Sequence, residues 1–95
     1  MPEVHFHVRW PDATTTRCYS PSSTIRDFFT SGETYPLAKF VSLSRAALEL
    51  ASERVARRYG FACSSAASQL AQIEQQAARY AAQPDAVVTV LGFNH

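Results

Sequence analysis

Three groups of residues in this chain have types and spacings that support chemistry. The first is Cys63-Ser64-Ser65, three residues past Gly60, where one helical pattern stops and another starts. A cysteine at a helix N-terminus has its thiol pKa lowered by the helix dipole, which favours the nucleophilic thiolate. The turn that follows, Ala66-Ala67-Ser68-Gln69, holds no acid, and Glu74 is the first carboxylate of that pattern. Arg57 and Arg58 stand on the other side of Gly60. Helix N–H groups, Ser64 or Ser65 and the two arginines could together bind a phosphate or carboxylate. The plainer reading is that a serine caps the helix, the arginines satisfy the carbonyls of the preceding one, and Cys63 packs as a small buried side chain.

The second group is His5-X-His7, whose alternation puts both rings on one face of a strand. A metal can be held by that geometry with a third ligand, for which Cys18 or His95 would serve. Any alternating strand places polar residues this way, so a solvated face accounts for the histidines equally well. The third group is Ser20 to Thr24, hydroxyls around Pro21, which a turn into a capped helix explains.

The elements that must position these groups follow from periodicity. Val4, Phe6, Val8 and Trp10 alternate with His5, His7 and Arg9, which predicts a half-buried strand. Pro11-Asp12-Ala13 predicts a turn and Thr14 to Tyr19 a returning strand, with Trp10 and Tyr19 facing across the hairpin or at its ends. Thr24 with Asp27 fits a capping pattern for a short helix through Phe28 and Phe29 that ends at Gly32. A long helix is expected from Pro36 to about Tyr59, with Leu37, Phe40, Val41, Leu48, Ala51 and Val55 on its apolar stripe. Gly60 suits the left-handed residue past its end. A second helix runs from about Ser65 to Ala82 on the stripe Ala66, Leu70, Ile73, Ala77 and Tyr80, stopped by Pro84. Ala86 to Phe93 reads as a final strand, apolar on both faces through Val87, Val88, Val90 and Leu91. The order is β-β-α-α-α-β, an α+β fold in which a helical hairpin packs on one face of a small antiparallel sheet. The other face carries His5, His7 and Arg9, and on this reading Val88 and Val90.

The chain has 95 residues, which suits a single domain over 1–95, without internal repeats or linkers. Nine Lys+Arg against eight Asp+Glu leave a net charge of +1, so no whole-protein field draws nucleic acid or an anionic membrane. The basic residues from Arg54 to Arg58 are interrupted by apolar positions and followed by no reading helix. Neither a signal-peptide pattern nor a membrane-length apolar run is present, and Cys18 and Cys63 do not make a disulfide framework. A cytoplasmic protein is expected.

Several stretches together resemble a small bacterial family of nitrogen-starvation response proteins. They are VRWPD (Val8 to Asp12), RCYSPS (Arg17 to Ser22), YPLAKFV (Tyr35 to Val41), ASERVARRYGFACSSAASQL (Ala51 to Leu70) and VTVLGF (Val88 to Phe93). The resemblance spans nearly the whole chain. It implies a gene-cluster setting beside a nitrilase, a radical-SAM protein, an acetyltransferase-like protein and a flavin-dependent oxidoreductase, linked to growth on nitriles or cyanide. It implies no assigned activity and no catalytic residue. Ala13 departs from the glycine expected after Pro-Asp.

The expected role is therefore a non-enzymatic accessory without a cofactor. It would bind a second copy of itself, or an enzyme encoded in the same cluster, through the exposed sheet face and the last strand. The alternative is a small enzyme or ligand-binding protein using Cys63, Ser64, Ser65, Arg57 and Arg58.

Overall fold

The computed structural model describes residues 3–60 and 64–94. Two strands, β1 (Val4–Arg9) and β2 (Thr15–Ser20), form the expected hairpin, followed by the single-turn helix α1 (Ile25–Phe28). A three-residue strand β3 (Thr34–Pro36) then leads directly into the long helix α2 (Leu37–Tyr59). Helix α3 (Ser64–Ala78) and strand β4 (Val87–Asn94) complete the chain. The sheet is antiparallel throughout, in the order β2-β1-β4-β3, so the last strand is inserted between the first and the third. The expected α+β order holds, with β3 added.

The core lies between one face of this sheet and the helices. Val4, Phe6 and Val8 of β1, Val88 and Val90 of β4, Phe40, Ala47, Leu48 and Ala51 of α2, and Ala66 and Ile73 of α3 are all buried there. Burying a side chain of Val, Leu, Ile or Phe size contributes about 1.5–3 kcal/mol each, which makes this layer the main source of stability. The final strand corrects one expectation. Val88 and Val90 point into the core, and the residues on the outer face are Val87 and Leu91. The strand therefore alternates from Val87 to Leu91, and four apolar residues among those five hid the alternation.

Two other local expectations change. Thr24 has helical backbone angles and no side-chain capping bond, and its buried Oγ1 has no hydrogen-bond partner among the described residues. The turn is braced one step earlier, where Ser20 Oγ donates to the Ser22 carbonyl at 2.8 Å and the Thr24 N–H donates to Ser22 Oγ at 3.3 Å. Pro36 is not the first helical residue but closes β3 in an extended conformation. At the sheet edge its missing N–H leaves no ladder bond unmade, and the Leu37 N–H donates to the Ala86 carbonyl at 3.0 Å.

The β1–β2 turn shows why its sequence matters. The Ala13 N–H donates to the Trp10 carbonyl at 2.9 Å and the Trp10 N–H to the Thr14 carbonyl at 2.8 Å. This is a three-residue loop whose last position requires positive φ, normally supplied by glycine. Ala13 adopts φ 72°, among the described residues the one non-glycine with positive φ. Replacing Ala13→Gly is expected to stabilise the domain by about 1 kcal/mol, the approximate cost of an L-residue in that region. In a domain of this size that is a rise in Tm of roughly 4–8 °C, readable by thermal unfolding; an unchanged or lower Tm would refute the strain.

The Asp12 carboxylate holds the same turn. It accepts from Thr14 Oγ1 at 2.6 Å and from the Thr14 N–H at 3.1 Å, and these bonds, with one from Tyr80, lower its pKa below the usual value. A depressed carboxylate pKa stabilises the fold above the unfolded-state value, near 4, and that contribution is lost as pH falls through the folded value. The Tm difference between wild type and Asp12→Asn should therefore be full at neutral pH and disappear in strong acid. A difference independent of pH would show that the charge contributes nothing.

Candidate functional site

Two regions qualify, the joint between α2 and α3 and the open face of the sheet. At the joint, Gly60 takes φ 83° and its N–H donates to the Ala56 carbonyl at 2.8 Å, the expected left-handed ending. Residues 61–63, including Cys63, lie outside the described residues. Helix α3 opens at Ser64 with no acid in its first turn. Ser64, Ser65, Ser68, Gln69, Gln72 and Tyr19 line a shallow polar concavity there. The arginines make contacts within their own helix. Arg57 Nη2 bonds Glu53 Oε1 one turn back, and the Arg58 guanidinium lies over the Tyr59 ring, 5.8 Å from its centre. Among the described residues the serines lie together with Tyr19, and the arginines contact Glu53 and Tyr59 of their own helix.

Gln69 is a residue that periodicity did not single out. Its Oε1 accepts the Tyr19 N–H at 2.9 Å, so a helix side chain stands in for the carbonyl of a neighbouring strand at the β2 edge. The available signal was a polar residue on the buried stripe, three past Ala66 and four before Ile73, which alone does not say what it bonds.

On the sheet, register sets out the outer face. Tyr19, His5 and Asn94 form one row; Arg17, His7 and Gly92 the next; Thr15, Arg9, Thr89 and Thr34 the third. The pairing slips between His7 and Val8, which places Leu91 as the extra residue of a bulge and turns its side chain outward. Val87 is 43% exposed and Leu91 40%. His5 packs edge-to-face on Tyr19 with ring centres 5.7 Å apart, and Asn94 Nδ2 donates to His7 Nε2 at 2.8 Å. Trp10 and Tyr19 do not meet: Trp10 turns inward, stacked on Tyr80 and edge-on to Phe40.

Of the two third ligands that the spacing suggested for His5 and His7, one is placed on the opposite face. Cys18 pairs with Phe6 and faces the core, opposite to His5 and His7, and His95 lies outside the described residues. Among the described residues no group of three His, Cys, Asp or Glu side chains could hold a metal ion. Cys18 is a free thiol, and burial pushes its pKa up to about 12.

Fold and site together define a two-layer α+β domain whose helices cover one sheet face and leave the other open. None of its helices, among the described residues, is long and apolar enough to cross a membrane. The chain belongs to the family described as nitrogen starvation-induced protein NitG, whose model matches residues 5–93. That span takes in all of the helices and all but the outermost residues of the sheet. No curated protein and no solved structure matches the chain.

Burial of Cys18 has a direct consequence. A thiol with a pKa near 12 carries roughly a thousandfold less thiolate near neutral pH than a free cysteine, in addition to being shielded. Iodoacetamide treatment of the native protein followed by peptide mass analysis should leave Cys18 unmodified until denaturant is added. Rapid native labelling of Cys18 would contradict its placement.

Proposed function

We propose that this protein is a non-enzymatic accessory of the nitrogen-starvation response that works by binding another protein through the open face of its sheet. The observation that carries the proposal is the contrast between the two faces. One is covered by α2 and α3, while the other presents Val87 and Leu91, on either side of Thr89 in β4, together with Arg9 and Arg17 to solvent. The family description supports the starvation setting. The resemblance to proteins encoded beside a nitrilase and a flavin-dependent oxidoreductase supports a cytoplasmic enzyme of that cluster as partner, with a second copy of the chain as the other option.

The ligand-site alternative draws on the acid-free start of α3 and the concavity lined by Ser64, Ser65 and Ser68. It needs Arg57 and Arg58 to leave Glu53 and Tyr59, and it needs a reactive Cys63. Fast alkylation of native Cys63 together with an anion-dependent rise in Tm would favour it over the docking role.

The deciding experiment is affinity capture from nitrogen-starved cells with the wild-type chain and with Leu91→Asp. An exposed-site substitution of this kind changes stability by about 0.5 kcal/mol or less, so the variant should fold. A stoichiometric partner captured by wild type and lost with the variant is the expected result. Identical captures would remove the sheet face from the proposal, and a strictly monomeric chain that captures nothing would remove the proposal itself.

A further inference from the structure

We propose that the open sheet face accepts a short segment of another protein in which carboxylates and aliphatic side chains occur together. This rests on the docking role above and names the chemistry of what docks. The first observation is charge. The sequences of the four strands, VHFHVR, TTRCYS, TYP and VVTVLGFN, contain two arginines, two histidines and no acidic residue. The exposed Arg9 and Arg17 project from the outer face, on either side of Thr15 and His7 in the paired register. The ion pairs found among the described residues, Arg45–Glu74 and Arg57–Glu53, are both on helices and leave these two arginines without a carboxylate. Glu3, Asp12, Glu33 and Asp85 stand outside the strands, so the acidic groups nearest the face lie at its margins.

The second observation is shape. His7, Arg17, Leu91, Gly92 and Asn94 line a concavity in which Gly92 contributes no side chain. A carboxylate entering it would meet the Arg17 guanidinium and the Asn94–His7 pair, and an adjacent aliphatic group would reach Leu91. Bidentate carboxylate binding is what the arginine fork favours.

Charge argues against a second copy as occupant. Two-fold pairing of this face would bring its arginines and histidines together with those of the other copy, with no strand carboxylate on either side to neutralise them. Nucleic acid is the poorer match because the exposed large groups are aliphatic. The outward rings of His5 and Tyr19 are packed on each other, and Phe6 faces the core.

The test is binding of short peptides of alternating Glu–Leu, Gln–Leu and Lys–Leu, and of a uridine oligonucleotide, to the isotope-labelled chain, followed through backbone amide shifts. The expected result is that the Glu–Leu peptide shifts His7, Arg9, Arg17, Leu91 and Gly92 and binds at least tenfold tighter than the other probes. Its binding should fall about tenfold or more in Arg9→Glu/Arg17→Glu and weaken as salt is raised, while Arg79→Glu, after α3 on the helix side, leaves it unchanged. Equal or tighter binding of Gln–Leu or Lys–Leu at the same residues would overturn the acidic partner and leave the docking role standing. Shifts there that depend on protein concentration alone would replace the partner with a second copy. Preference for the oligonucleotide would overturn both, as would an absence of shifts on the face with every probe.

Discussion

The rings of Phe6, Phe29, Phe40, Trp10 and Tyr80 form a continuous row, with successive centres 6.1, 5.2, 5.6 and 6.1 Å apart. Each comes from a different part of the chain: β1, the end of α1, α2, the residue after β1, and the turn after α3. Tyr35 of β3 joins the row edge-on at Phe29, 5.3 Å away. Pairs of this kind add about 0.5–1.5 kcal/mol each beyond the area they bury, so the row is where sheet and helices become one layer stack. Phe40 stands in the middle, and removing a buried Phe ring costs about 3–5 kcal/mol, a large share of a small domain's stability. At its far end the row continues as polar contacts. Gln76 Nε2 donates to the Tyr80 hydroxyl at 3.2 Å, and Trp10, whose backbone N–H and carbonyl close the β1–β2 turn, donates its indole N–H to Thr16 Oγ1 at 3.0 Å. The β1–β2 turn is thereby fastened to the core, which is how Ala13 can be kept in a conformation that alanine disfavours.

Placing the rings on one side leaves the sheet asymmetric, and much of that asymmetry was legible in the residues. Alternation in β1 assigned His5, His7 and Arg9 outward correctly, because a half-buried strand repeats every two residues. The same rule failed on β4, where four apolar residues among five concealed the alternation. Only the register, with its slip between His7 and Val8, shows that Val88 and Val90 go in while Val87 and Leu91 go out. β3 was illegible for a different reason. Thr34–Pro36 is three residues ending in proline, too short for any period, and it exists because β4 offers Val87, Val88 and Thr89 to pair with.

The helices were the most legible part, since 3.6-residue periodicity accumulates over many turns. Phe40, Leu48, Ala51, Ala66, Ile73, Ala77 and Tyr80 were all expected inside and are buried. Gly60 was readable because the left-handed ending of α2 strongly favours glycine there. What the stripes could not show is how the faces between them are used. The pairing of Arg45 with Glu74 across α2 and α3 joins residues 29 apart in sequence, and Gln69 with Tyr19 joins residues 50 apart. Such contacts follow from packing and have no local signature. For the joint, the sequence placed two arginines near the start of α3, and among the described residues each also has a local contact. Glu53 lies one turn from Arg57, and Tyr59 is next to Arg58.

The docking proposed above is placed on the face and not at the rim because both edges of the sheet are protected. An antiparallel sheet can usually be extended by a partner strand at either edge. Here the β3 side is short, ends in Pro36, and is continued by a segment that already uses β4: the Gly32 N–H donates to the Val90 carbonyl at 2.7 Å and the Val90 N–H to Glu33 at 2.9 Å. On the β2 side Gln69 occupies the Tyr19 N–H, and the exposed Arg17 guards the remaining stretch with a charge. Both rims are defended by the means that natural sheets use against edge-to-edge association, whereas on the outer face Val87 and Leu91 are exposed and, among the described residues, Arg9 and Arg17 have no carboxylate partner. A partner docking as proposed would therefore gain more by lying across the strands than by pairing alongside them.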